Sequence, residues 1–317
     1  MMADALDDDV IFVYMGGDQR VPDRVRRARI HKSVKIVPKR AFYSYRRQLI
    51  YVEFHDDIEI IEKQAFEGCE LRGSIKLLGV RIIDFRAFHH CHSLTDVEFG
   101  DKLETIEWRA FHSCIALKKI KMPTVRTIEE EAFANCHELS DVECGKPLET
   151  LQERAFACCP KLKRIALPLK GIMIGDYVFG ECPMLTTVDM VGGIHNTVAS
   201  LHLESWRNEM NDEINRINQV LPTITGDKTP AIRHWMESAS HRLDCYKTEH
   251  NRLLKEATTM LELALWKAKL SDNEGDRLER EEVRAKGEVK RAREEVRVTS
   301  GASIVIKNVL PFLQLLE

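Results

Sequence analysis

Apolar residues recur through the first two-thirds of the chain in a fixed frame. The dipeptide Ala-Phe stands at Ala41-Phe42, Ala65-Phe66, Ala87-Phe88, Ala110-Phe111, Ala132-Phe133 and Ala155-Phe156, and a seventh copy reads Val178-Phe179. Successive copies are 24, 22, 23, 22, 23 and 23 residues apart. An aliphatic residue stands four positions before each copy, at Val37, Ile61, Ile83, Ile106, Ile128, Leu151 and Ile174. Three positions after each Phe come Tyr45 and then Cys69, Cys91, Cys114, Cys136, Cys159 and Cys182. A third column, Leu-x-x-Val/Ile-x-apolar, follows at Leu94/Val97/Phe99, Leu117/Ile120/Met122, Leu139/Val142/Cys144, Leu162/Ile165/Leu167 and Leu185/Val188/Met190. Leu49/Val52/Phe54 precedes these, Val25/Ala28/Ile30 reads as a partial first copy, and at Leu71/Ile75/Leu77 the register slips by one residue.

A unit of this length cannot bury a hydrophobic face alone, so neighbouring copies must stack into one continuous core. The Val/Ile-x-apolar part alternates as a half-buried strand does. Its copies are expected to form a parallel sheet with one strand per coil, each Phe filling the opposite side and stacking on the next. The predicted fold is an α/β solenoid of short parallel strands over residues 25–192, preceded by an N-terminal segment, 1–24.

The frame Ile-x-x-x-Ala-Phe-x-x-Cys-x-x-Leu-x-x-Ile-x-Leu/Met, twice followed by Pro as at Met122-Pro123 and Leu167-Pro168, resembles the BspA-type leucine-rich repeat. The resemblance covers about half the chain. It implies a leucine-rich-repeat solenoid; many members are displayed on cell surfaces, an expectation that the acidic start of this chain argues against carrying over. Members usually carry Gly directly after the aliphatic residue; here that position reads Pro38, Glu62, Asp84, Glu107, Glu129, Gln152 and Gly175.

Beyond Gly193 the period changes. Leu203, Trp206, Met210, Ile214, Ile217 and Leu221 follow three-to-four spacing and predict an amphipathic helix ended by Pro222. A second helix is expected from Thr229, with Pro230 at its first position. Its stripe runs Ile232, Trp235, Ala239, Leu243, Tyr246, His250, Leu253, Ala257, Met260, Ala264 and Ala268, the signature of a helical hairpin or coiled coil over 199–270. The far end, with Leu253, Leu254, Met260, Leu261, Leu263, Leu265 and Trp266, is apolar on more than one side. Self-association or partner binding there competes with packing against the solenoid or tail. Residues 271–317 read as a charged linker and a short apolar tail, and the wording of residues 203–210 resembles tails that follow such repeats in algal proteins.

The net charge of −3 gives no global attraction to nucleic acid or membrane. The acidic start lacks the basic flank and apolar run of an export signal. No apolar stretch reaches the roughly 18 residues of a span, and nine cysteines cannot all pair internally. A cytoplasmic or nuclear setting is therefore expected. The position after each buried strand residue alternates in sign over six consecutive copies, Arg29, Glu53, Lys76, Glu98, Lys121 and Glu143, before Ala166 and Asp189, as a pairing ladder or a mixed-charge face would.

Candidate contact residues fall in three places. Phe85 and Trp108 share a column that otherwise reads Lys39, Lys63, Glu130, Glu153 and Asp176, so two adjacent aromatics there suggest a contact patch. Between Arg20 and Arg47 stand eleven Lys or Arg and one acid, Asp23. Arg26, Arg27 and Arg29 in this cluster serve either as a polar cap or as a site for an acidic partner such as RNA. Leu253, Met260 and Trp266 are the helical candidates. The thiol column spreads along an axis where zinc needs convergent ligands. His89, His90, His92 and His112 cluster without a dedicated ligand set, and no nucleophile elbow, P-loop or paired-carboxylate site occurs. No cofactor or metal is expected and no catalytic residue can be named. The expected function is that of a protein-interaction scaffold or adaptor, with nucleic-acid binding through the basic cluster as the alternative.

Overall fold

A computed structural model of the chain describes residues 11–17, 19–43, 48–169, 171–191 and 204–282, with side chains as far as 269. Tyr45, Arg46, Arg47 and Leu203, the first ten residues and the charged and apolar stretches after 282 lie outside the described residues.

The repeat winds into a parallel β-solenoid. Strands Gly73–Leu77, Leu94–Phe99, Lys119–Met122, Asp141–Cys144, Arg164–Leu167 and Thr187–Met190 form one ladder in sequence order. Ile11–Tyr14, Arg27–Ile30 and Tyr51–Glu53 form a shorter parallel ladder, so strand pairing begins within the segment before residue 25. In-register pairs such as Ile120 with Val97 and Val142 place each buried residue beside its counterparts. The slip at Leu71/Ile75/Leu77 is a β-bulge: Gly73 pairs with Leu94, yet Ser74 pairs with Asp96, and Gly73 takes φ +76. Glycine suits this position because it adopts positive φ without a Cβ penalty.

Each coil carries two strands, where the sequence predicted one. The second is a two-residue strand ending on the aliphatic column, as in Ile60–Ile61, Ile82–Ile83, Thr105–Ile106 and Thr127–Ile128. These are mostly β-branched pairs, which fit extended backbone. Two residues are too few to display an alternation.

Between the two ladders lies the phenylalanine stack. Phe42, Phe66, Phe88, Phe111, Phe133, Phe156 and Phe179 are all buried. Successive rings stand 4.9–6.4 Å apart with planes within 8° of parallel. Beside them each column thiol donates to the carbonyl of a Phe in the preceding coil, for example Cys91 to Phe66 O at 3.2 Å and Cys114 to Phe88 O at 3.2 Å. Burial pushes these thiols well above their usual pKa. They are core donors, not nucleophiles.

Two left-handed residues per coil aim the turn backbone along the axis. The position before Ala or Val has φ of 52–58° at Arg40, Gln64, Arg86, Arg109, Glu131, Arg154 and Tyr177. The position two after Phe has φ of 54–60° at His90, Ser113, Asn135, Cys158 and Glu181. In coils that have a successor these amides donate to it: Arg86 N to Trp108 O at 3.1 Å, His90 N to His112 O at 3.0 Å. A left-handed L-residue costs about 1–2 kcal/mol, and wherever a coil follows it also supplies a peptide group of that coil with its partner.

A solenoid end exposes a whole coil of unpaired backbone. At the C-terminal end, helix α1 (Glu204–Val220) and helix α2 (Thr229–Glu282) supply the partners. Lys228 is fully buried and donates to Pro183 O and Leu185 O at 2.9 and 2.6 Å. Thr229 Oγ1 accepts from Phe179 N, Asn218 Oδ1 accepts from Val188 N, and Arg233 donates to Gly175 O. Met210, Ile214, Ile217, Ile232, Trp235 and Ala239 are buried in this cap, where the Trp235 indole donates to Glu213 O. At the other end, Tyr14 packs on Phe42 at 4.9 Å and 59° and ends the parallel ring stack. The start of α1 and the part of α2 beyond Ser240 form a second unit. There Trp206 stacks on Tyr246 at 5.1 Å.

Phe111→Ala removes a ring stacked on both faces and should cost about 3–5 kcal/mol of unfolding free energy in urea denaturation. A loss below about 1 kcal/mol would place that ring outside the core. At exposed Glu181, Glu181→Val should lower the thermal midpoint, whereas Glu181→Gly should match or exceed wild type, because a β-branched chain resists positive φ most and glycine has no Cβ to resist it.

Candidate functional site

The strand face is electrically self-satisfied. Arg29 Nε meets Glu53 at 2.7 Å, Lys76 meets Glu98 at 2.9 Å and Lys121 meets Glu143 at 3.1 Å. Arg164 bridges Asp141 and Asp189, both at 3.0 Å. These are the cross-strand pairs that sign alternation specifies, each partly exposed and modest in energy. The face therefore presents little uncompensated charge to a ligand.

The turn carrying Phe85 and Trp108 is different. The two rings are brought together, centroids 5.0 Å apart at 47°, and Trp108 is 38% exposed. Cations surround them: Lys63 Nζ lies 4.4 Å from the Phe85 centroid, Arg86 lies 5.0 Å from Phe85 and 6.0 Å from Trp108, and Arg109 lies 5.0 Å from Trp108. Such contacts contribute about 0.5–1 kcal/mol each where exposed. They also hold flexible cationic chains in place over the rings.

The column in which the family carries Gly builds the floor of this turn. Glu62 accepts from Lys39 N at 2.9 Å, Asp84 from Lys63 N at 3.2 Å, Glu129 from Trp108 N at 3.0 Å and Gln152 from Glu130 N at 3.3 Å. Each side chain thus anchors the amide of the residue that displays a ring or charge in the preceding coil. Burial raises the Glu107 carboxyl to about 7, and its hydrogen bond to Asp84 and the charge of that neighbour add to the rise. Sequence reading noted the departure from Gly but gave these residues no role. The signal was there, in the polar identity of successive members of one column.

Next to this turn the imidazoles are partnered. His89 Nδ1 meets Glu67 at 2.9 Å; His112 bonds Ser113 and Asn135 at 2.9 and 3.1 Å. Burial lowers both rings to about 4, so they are neutral at physiological pH. Among the described residues no group of three or more His, Cys, Asp or Glu could hold a metal. The chemistry available at this turn is stacking, cation–π contact and anion binding.

The other candidates lie elsewhere. Arg26, Arg27 and Arg29 belong to the N-terminal coil, where Arg29 is engaged by Glu53 and Arg27 lies 5.0 Å over the Tyr51 ring. Leu253 is half-buried on α2, while Met260 and Trp266 are 63% and 62% exposed. No helix among the described residues is long and apolar enough to cross a membrane.

Comparison with known proteins agrees with this architecture. The pattern of the BspA type leucine-rich repeat region, in six copies, matches residues 24–124 and 81–198, over half of the chain. A leucine-rich repeat protein of T. pallidum is 30% identical, over 42% of this chain and 63% of its own, at TM-score 0.39. A leucine-rich repeat protein of Bacteroides ovatus is 22% identical over 53% and 55%, at TM-score 0.36. A leucine-rich cell surface protein of Faecalibacterium prausnitzii is 27% identical over 51% and 52%, at TM-score 0.32. The chain thus spans between half and two-thirds of the length of these solved proteins. No curated protein matches it. With its repeat frame, its stacked coils and a family pattern covering more than half its length, the chain belongs to the BspA-type leucine-rich-repeat family.

Proposed function

We propose that the protein is an interaction scaffold or adaptor whose solenoid recognises another protein through the turn bearing Phe85 and Trp108. The observation that carries this reading is the paired, part-exposed rings held between Lys63, Arg86 and Arg109. Aromatic and arginine side chains dominate protein-binding hot spots because they offer large area at low conformational cost. The carboxylates and amide that tie the turn backbone pre-organise the patch, which reduces the ordering penalty of binding. Family membership supports a recognition role over catalysis, since the matched repeats are non-enzymatic.

The exposed helical surface supplies the second half of the scaffold. Met260, Leu263, Leu265 and Trp266 are each more than half exposed on the last turns of α2 whose side chains are described. Large apolar side chains in such density favour association with another helix.

Two measurements test these parts separately. Proteins co-purifying with the tagged chain from its native cells should be lost from a Phe85→Ser/Trp108→Ser variant of unchanged thermal midpoint; identical retention would remove the turn as the recognition surface. In sedimentation velocity, the full chain should show concentration-dependent association that Met260→Glu/Trp266→Glu weakens at least tenfold, about 1.4 kcal/mol. A wild-type chain that stays monomeric at high concentration removes self-association.

A further inference from the structure

The column that contains Phe85 and Trp108 is ordered by charge along the solenoid axis. From coil to coil it reads Lys39, Lys63, Phe85, Trp108, Glu130, Glu153, Asp176. Two cations come first, then two rings, then acids. We propose that this strip binds an extended segment of a partner protein whose side chains run acidic, apolar and basic in the complementary order. The proposal rests on reading this turn as the recognition surface and specifies the partner's chemistry.

Unmet charge at both ends points to such a ligand. Among the described residues, Lys39, Lys63 and Arg86 have no ion-pair partner, whereas strand-face cations such as Lys76 and Lys121 each meet a carboxylate of the next coil. Arg86 is the clearest case. In its column, Arg40 Nε donates to Gln64 at 2.9 Å and Arg109 Nε donates to Glu131 at 2.8 Å, each in the following coil. The residue that follows Arg86 is Arg109, another cation, and the buried Nε of Arg86 has no acceptor. Its guanidinium and the Lys63 ammonium flank the Phe85 ring, so an incoming carboxylate would meet two cations at one place. At the opposite end, Glu153 pairs with Arg154 and Asp176 with Arg233, both at 2.9 Å, which leaves Glu130 as the acid without a cation.

The same order disfavours a polyanion. Stacking rings beside cations would suit single-stranded nucleic acid, but its phosphates would run from Lys63 and Arg86 onto Glu130 and Glu153 within three coils. A peptide that changes sign meets no such conflict. Coils repeat at roughly 4.8 Å, so Lys39 to Glu130 spans about 19 Å, which an extended peptide covers in about six residues. Each displayed residue from Lys39 to Glu130 is held by its amide, so the strip keeps this spacing before the ligand arrives.

The test is selection of a random nine-residue peptide library against the full-length chain. Enriched sequences should carry acids at one end, an aromatic or aliphatic centre and bases at the other. They should bind Phe85→Ser/Trp108→Ser at least tenfold more weakly. A Glu130→Lys variant extends the cationic end and should shift selection toward uniformly acidic peptides, a switch that a merely structural role would not produce. Enrichment of uniformly acidic peptides by wild type, peptides without charge order, equal binding by the ring variant, displacement by an equal concentration of poly-dT, or no enrichment would each overturn the proposal. If the ring variant still loses the proteins that co-purify from cells, recognition at this turn stands and only the charge order falls. If those proteins are retained as well, both readings fall.

Discussion

Coil-on-coil stacking in strict register is the constraint on which the rest of this molecule depends. Seven rings separated by about one strand spacing leave no room for a coil to drift, because sliding one Phe would open a void beside both neighbours. The backbone reinforces the same register. Ladder bonds run along the axis on two sides, and the left-handed residues turn further amides in that direction on the third. Repeating one local conformation therefore converts each sequence column into a straight row on the surface. In a quasi-one-dimensional fold each coil is stabilised mainly by its neighbours.

That logic makes the ends costly. A coil with no successor has the same outward-pointing N–H and C=O groups as an interior coil but no partner for them. The C-terminal end answers group by group: Thr229 replaces the acceptor that Phe179 N would find, Asn218 does so for Val188 N, and Lys228 and Arg233 donate to stranded carbonyls. Burial holds the Lys228 ammonium below its usual pKa, yet its two carbonyl bonds keep a cation at this position useful. The helices thus complete the solenoid besides extending the chain beyond it.

The period, the buried columns and the parallel stacking were legible in the sequence because every copy repeats the same apolar residues. The second strand was not, since a pair such as Thr105-Ile106 shows no alternation. Nor were the left-handed turns, where Arg, Gln, Glu and Asn stand instead of the glycine that usually marks them. The capping role of Lys228 escaped because it acts on residues more than forty positions away, and nothing local marks it. At the candidate site, Phe85 and Trp108 stood out as aromatics in a charged column, and the structure brings their rings together. The roles of Arg86 and the carboxylates beneath them needed three dimensions, since each depends on which residue the next coil places alongside.

Columns in register also dictate what charge does on the surface. Where neighbours alternate in sign, as from Lys76 to Glu98, stacking itself satisfies them and each pair adds a little stability. Where neighbours share a sign, as with Lys39 and Lys63, Arg86 and Arg109, or Glu130 and Glu153, stacking sets like charges about one strand spacing apart, and such neighbours do not stabilise one another. A fold that relied on charge only for cohesion would alternate everywhere. Segregated charge sets like charges side by side in the free protein, the repulsion that the proposed, oppositely ordered ligand would relieve.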